Sequence, residues 1–222
     1  EGMKQMKENS VDCIVTSPPY YNFQRKHERK EKRHYDMDYG EVLFVVLDAC
    51  EQMYRVLKED GLFFLNFGWS YSEGGPLRPF RLIERLQKMK FECVDIIIWH
   101  KTNPQPMKNR MTNSFEYIFV LAKNNKWKYN IEEGCYHNVW KFPIRMQNQW
   151  KTKSHGAMFP EILPQKCIEI STKEGDLVLD PFTGSGTTLW VAKKLKRKFI
   201  GFEINPEYVK LSKERLEQEV FA

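Results

Sequence analysis

Two short stretches of this 222-residue chain hold residue types that could do chemistry together. Residues 16–20 read Thr-Ser-Pro-Pro-Tyr. Consecutive prolines fix the backbone and remove two N–H donors, which leaves the carbonyl ahead of each proline available to a ligand. Ser17 adds a hydroxyl acceptor and Tyr20 a flat stacking face, so Ser17, Pro18, Pro19 and Tyr20 form the candidate catalytic group. The set suits a planar ring that carries an exocyclic amine. The lone pair of such a nitrogen is delocalised into the ring, and the amine is a poor nucleophile. Acceptors for both amino hydrogens, here the Ser17 hydroxyl and the Pro18 carbonyl, would favour a pyramidal nitrogen with its lone pair aimed at an electrophile. With an electrophile that is already activated, alignment and electrostatics suffice and no covalent enzyme intermediate is needed. The competing reading is a plain proline-rich turn.

The second stretch, residues 176–188, reads DLVLDPFTGSGTT. A buried strand ends at Asp180, a turn holds Gly184 and Gly186, and a helix follows. Glycines let the backbone approach a ligand and adopt positive φ. A helix N-terminus supplies N–H groups and a positive dipole end that suit a carboxylate. The next strand ends at Glu203, about twenty residues after the loop, where an acid can accept hydrogen bonds from ribose hydroxyls. These features point to a nucleoside-containing ligand. No G-x-G-x-x-G occurs and no Walker lysine follows Gly186, which disfavours a dinucleotide and ATP.

The elements that must position these residues alternate between strand and helix, which implies an α/β sheet. Strands are expected at Val11–Val15, Leu62–Asn66, Phe91–Trp99, Phe115–Ala122, Leu177–Asp180 and Lys198–Glu203, six in all. Helices are expected at Gly40–Leu57, Pro79–Lys90, Phe159 to about Ser171, Ser185–Leu195 and Pro206–Glu219, with a turn at Asp60-Gly61. Pro104 and Pro106 keep Asn103–Ser114 out of any central strand. Asn124–Ser154 shows no period, although it holds Trp127, Trp140 and Trp150.

Composition narrows the class. Apolar residues are 41% and charged ones 29% of the chain, a globular balance with no run long enough to span a membrane. The five cysteines form no C-x-x-C pair, so neither a metal site nor a redox motif is expected. With a polar start at Glu1–Asn9, the chain reads as cytoplasmic, nucleoid-associated if prokaryotic. The net charge of +6 is gathered in two places. Residues 25–33 carry six basic and two acidic side chains, and residues 101–153 ten basic and three acidic. Such gathering is what a polyanion-binding face requires, against the alternative of solvated loops.

Together the motifs resemble those of the amino-group DNA methyltransferases, which act on N4 of cytosine or N6 of adenine. TSPPY is similar to the family's catalytic motif, DPFTGSGTT to its cofactor motif and GFEINPEYV to its ribose-binding motif. FPEILPQKCIEIST resembles the helix over the methionine part of the cofactor, and NSFEYIFVLAK a late strand of the catalytic half. The order, catalytic motif first, resembles the permuted beta class of restriction-modification enzymes. The resemblance covers almost the whole chain. It implies an α/β, Rossmann-like methyltransferase fold: a mostly parallel sheet with helices on both faces and a terminal β-hairpin. It also implies one domain over residues 1–222, with a catalytic half at 1–122, a short target-recognition insert at 123–154 and a cofactor half at 155–222. S-adenosylmethionine is the implied cofactor, surrounded by Asp180, Pro181, Phe182, Gly184, Ser185, Gly186 and Thr187, with Glu203 on the ribose and Asn205 and Phe159 nearby. Family members carry a strand and a Gly-Asp pair ahead of the catalytic strand, which implies natural residues before Glu1.

A serine first in the catalytic motif resembles the N4-cytosine enzymes. The expected reaction is methyl transfer to N4 of a flipped-out cytosine in DNA. An N6-adenine enzyme is the alternative, followed by an RNA methyltransferase or an inactive nucleic-acid-binding subunit. Double-stranded DNA is the expected partner, with a cognate restriction endonuclease and a homodimer left open. Arg25, Lys26, Arg29 and Lys30 are expected to clamp the strand, and Lys108, Arg110, Arg145 and Gln147 to contact it. Trp140, Arg145, Gln147, Asn148 and Gln149 are candidates for reading base edges; the competing reading is a surface loop with Trp140 as a local core.

Overall fold

The computed structural model describes residues 1–18, 39–69, 75–131, 136–144 and 159–218. Seven strands form one sheet: β1 (Val11–Thr16), β2 (Leu57–Phe67), β3 (Glu92–Lys101), β4 (Phe115–Ala122), β5 (Val139–Phe142), β6 (Leu177–Asp180) and β7 (Lys198–Gly201). Their order across the sheet is β5-β3-β4-β2-β1-β6-β7. The pairs β1/β2, β1/β6, β3/β5 and β6/β7 are parallel, and β4 runs against both its neighbours. The β3/β4 hairpin lies toward one end of the sheet, with β5 outside it.

The strands alternate cleanly between two apolar faces, as a sheet covered on both sides must. Ile14, Phe63, Leu65, Phe119 and Leu121 face one core; Val15, Leu62, Phe64, Ile118 and Val120 face the other. The first core is closed by α1 (Tyr39–Val56) and α2 (Arg78–Lys88). Val46, Cys50 and Met53 recur at helical spacing along α1, and Leu82, Ile83 and Leu86 along α2. Pro79 sits in the first turn of α2, where its missing N–H has no intrahelical partner to lose. The second core is closed by α3 (Ile162–Glu169) and α4 (Thr187–Lys194), through Leu163, Cys167 and Ile168, and Val191 and Ala192. The last helix, α5 (Pro206–Leu216), starts at Asn205, whose side chain accepts a hydrogen bond from the Glu207 N–H.

Three expectations change. Asp60-Gly61 does not precede β2 but bulges within it. Val11 pairs with Leu57 and Cys13 with Leu62, so four residues of β2 stand against Asp12 alone. A seventh strand, β5, lies in the segment that showed no period. Its four residues are too few for a pattern to stand out, yet they alternate, with Trp140 and Phe142 buried and Val139 and Lys141 exposed. The helix expected from Phe159 starts at Ile162, after Pro160.

No helix among the described residues is long and apolar enough to cross a membrane.

Candidate active site

The ends of β1, β6 and β7 lie side by side on one edge of the sheet and bring the two motifs together. Asp180 closes β6 and is only 2% exposed. One carboxylate oxygen accepts the Thr16 hydroxyl at 2.6 Å and the Phe182 N–H at 3.1 Å; the other accepts the Thr188 hydroxyl at 2.7 Å. Burial pushes its carboxyl up to about 6, against the pull of these donors. With both oxygens engaged inside the protein, Asp180 acts as the clasp between the two motifs. Thr16 and Ser17 are consecutive, so the clasp brings Ser17 to the same edge as the loop after β6 although 164 positions separate Thr16 from Asp180. Ser17 is half-buried and Pro18 buried. Pro19 and Tyr20 lie outside the described residues.

The loop after Asp180 is held by backbone contacts to β7. Thr183 N–H donates to the Phe202 carbonyl at 3.0 Å, and the Thr183 hydroxyl to the Asp180 carbonyl at 2.9 Å. Gly184 and Gly186 have φ of +53° and +81°. A Cβ on Gly186 would also run into the Ser212 hydroxyl, so conformation and packing both demand glycine. Gly186 caps α4, and Thr187 opens its first turn, which gives the loop a helix N-terminus. Pro181, Ser185 and Thr187 are buried, and Phe182 is half-buried against the first core.

Glu203 follows β7. Its carboxylate accepts the Gly184 N–H at 2.9 Å and the Asn205 N–H at 2.8 Å, which aims it across the loop. Asn205 spends its side-chain oxygen on capping α5, so its place is to support Glu203 through the backbone. Phe159 packs against the second core at the entry to α3.

A buried ion pair supports this side from beneath. Arg215 is 0% exposed; it donates to Glu161 at 2.7 Å and to the Thr187 hydroxyl at 2.9 Å, and Lys194 donates to the other Glu161 oxygen at 2.6 Å. Burial alone would raise the Glu161 carboxyl, but Lys194 and Arg215 hold it below the usual range. The pair ties α5, α3 and the first residue of α4 together.

A row of polar groups continues from Ser17 along the same edge. Thr16 pairs with Leu65, which places Ser17 next to Asn66 at the end of β2. Asn66 is buried and donates to Glu116 at 3.0 Å and to the Tyr117 carbonyl at 3.2 Å. Glu116 in turn pairs with the buried Lys101 at 2.8 Å. Sequence reasoning missed Thr16, Asn66, Glu116, Lys101, Glu161 and Arg215. The signal for Asn66 was present: a lone amide at the C-terminal end of an apolar strand. Arg215, in a helix rich in charge, gave none.

Of the nucleic-acid candidates, Lys108 and Arg110 are exposed on the loop between β3 and β4. Arg25, Lys26, Arg29, Lys30, Arg145, Gln147, Asn148 and Gln149 lie outside the described residues. Trp140 is not placed to read bases. It is buried in the second core, its indole N–H donates to the His137 carbonyl at 3.0 Å, and the Lys166 ammonium covers its ring at 5.2 Å.

A family model for N6 and N4 methyltransferases, described as DNA methylase, matches residues 11–214. The chain belongs to this family. It is 32% identical to the Type II methyltransferase M.Cfr9I of Citrobacter freundii, over 98% of this chain and 85% of that protein. Its fold matches the PvuII DNA methyltransferase (cytosine-N4-specific) with a TM-score of 0.81 and 26% identity, covering 99% of this chain and 84% of that one. It matches the M1.HpyAVI–SAM complex with a TM-score of 0.69 and 25% identity, covering 94% and 90%. The chain is thus a DNA amino-methyltransferase of restriction-modification type, and S-adenosylmethionine is its cofactor. The residues present suit that cofactor: an acid braced by two backbone N–H groups for the ribose diol, and a glycine-hinged helix start for the amino-acid carboxylate.

Proposed function

We propose that this methyltransferase modifies N4 of a cytosine flipped out of double-stranded DNA. The observation that supports the reading is the 2.6 Å hydrogen bond from Thr16 to Asp180, which ties the residue before Ser17 to the end of β6. Gly184, Ser185, Gly186 and Thr187 would hold the cofactor's amino-acid end, and Glu203 its ribose. Bound S-adenosylmethionine supplies an electrophilic methyl group on a sulfonium sulfur. The Ser17 hydroxyl and the Pro18 carbonyl would accept the two amino hydrogens of the base, and Tyr20 would stack on its ring. The amine is thereby oriented without a charged nucleophile on the protein. Serine as the first of the four catalytic residues supports cytosine over adenine, and the cytosine-N4 specificity of the PvuII enzyme agrees with that choice.

The remaining assignments follow the same reading. Residues 25–33 clamp the DNA backbone, with Lys108 and Arg110 adding phosphate contacts. Residues 123–154, whose strand β5 extends the sheet, carry recognition through Arg145 and Gln147. A cognate restriction endonuclease and a second copy of the chain are the two candidate companions.

Ser17→Ala tests the site. Single-turnover methyl transfer to DNA should fall by roughly 10²–10³, the usual cost of removing one preorganised polar group. S-adenosylmethionine affinity, measured by calorimetry, should stay within about twofold. Undiminished transfer would remove Ser17 from the reaction.

A further inference from the structure

We propose that the tip of the β3–β4 loop is a wedge that enters the DNA base stack and helps to expel the target base. This rests on the reading of Ser17 as the acceptor for a flipped-out base.

The loop, residues 102–114, has a firmly held root and an exposed tip. At its root the Lys101 N–H donates to the Ser114 carbonyl at 2.7 Å, and the Ile144 N–H to the Asn103 side chain at 2.7 Å. Asn113 donates to the Trp69 carbonyl at 2.7 Å, which ties the loop to the segment following β2. Pro104 and Pro106 stiffen the rising limb. At the tip Asn109 takes φ +57°, a left-handed conformation that asparagine tolerates and that reverses the chain. Around it stand Met107, 40% exposed, and Met111, 86% exposed, with Lys108 and Arg110 exposed between them.

The tip rises from the edge that carries Ser17. β4 is two strands from β1, a lateral distance of about 10 Å, on the order of the span from a flipped base to its former place in the stack. Single exposed apolar side chains are ordinary on protein surfaces. Here two thioethers bracket two cations on a braced stem beside the target-amine acceptors. Lysine and arginine bind phosphate without regard to sequence. Methionine is among the apolar side chains that proteins insert between base steps, and its unbranched, polarisable chain adapts to any base face. Extrusion of a paired base costs unstacking and unpairing energy, and it costs least where the base has lost its partner.

That last property gives the test. The site is first mapped from the DNA of cells expressing the wild-type chain. Two duplexes are then made, one with the target base paired and one with an abasic site opposite it. Methyl transfer in a single turnover is measured for wild type, Met107→Ser/Met111→Ser and Met107→Leu/Met111→Leu. The serine variant should lose ~10-fold or more on the paired duplex and stay within ~2-fold of wild type on the abasic one, because the missing partner removes part of the work. The leucine variant should keep the wild-type rate on both. Equal losses of the serine variant on both duplexes, or no loss on either, would overturn the wedge. A wild-type chain that methylates neither duplex would instead overturn the reading of the Ser17 site, and the wedge with it.

Discussion

The loop after β6 and the loop after β3 leave the same edge of the sheet and are built in opposite ways. Around Asp180 the polar groups are turned inward: Thr16, Phe182 and Thr188 engage its carboxylate, Thr183 bridges to β7, and Arg215 braces Thr187 from below. Around Asn109 the root is held by hydrogen bonds from Asn113 and to Asn103, and the side chains at the tip are exposed. The first loop has its geometry set by the protein's own bonds, and Gly186 answers to packing as well as to φ. The second presents exposed cations and thioethers, which on the proposed reading meet a long, charged polymer. Preorganisation in one place and exposed reach in the other suit one small ligand and one large one.

Substitutions can break or sharpen this contrast. Gly186→Ala should have the largest effect, because it meets both the positive φ and the Ser212 hydroxyl; a loss of ~3 kcal/mol is expected in denaturant unfolding. Adding Ser212→Gly should recover the packing part and leave the backbone part. Asp180→Asn should alter the pH dependence of stability. The Asp180 carboxyl is raised from 3.8 to about 6 in the folded chain, so the unfolded chain gives up its proton first and stability falls as pH rises through that window. The fall amounts to ~3 kcal/mol and is flat above the window, and thermal melts of Asp180→Asn should lack it. Thr16→Val removes a buried hydrogen bond to a charged group and should cost ~2 kcal/mol. Because it loosens Ser17, it should also slow methyl transfer more than it weakens cofactor binding. Asn109→Gly, at the exposed tip, should change stability by less than ~0.5 kcal/mol, since it meets the same sign of φ with no packing to disturb. Similar penalties at Gly186 and Asn109 would contradict the contrast.

Much of the cofactor side was legible in the sequence. β6 runs from Leu177 to Asp180 as the apolar run suggested, and the glycine spacing marked the turn. Local signals sufficed because strand, turn and helix start lie within a dozen residues. What joins that side to the target side, and what braces it from beneath, was not legible. The Thr16–Asp180 and Arg215–Glu161 bonds connect residues far apart in the chain, and no periodicity carries such pairing. β5 escaped notice because an edge strand of four residues needs its neighbour β3 to become a strand. Trp140 drew attention as an aromatic among cations, yet Lys166 lies over its ring within the fold, so the same composition serves packing.

The most direct measurement of the central claim is the identity of the methylated base. Mixed-sequence double-stranded DNA would be incubated with the chain and S-adenosylmethionine, digested to nucleosides and analysed by mass spectrometry. The expected product is 4-methylcytosine, formed roughly 10²–10³ more slowly by Ser17→Ala. Methyl groups found on adenine N6, or DNA left unmodified, would contradict it.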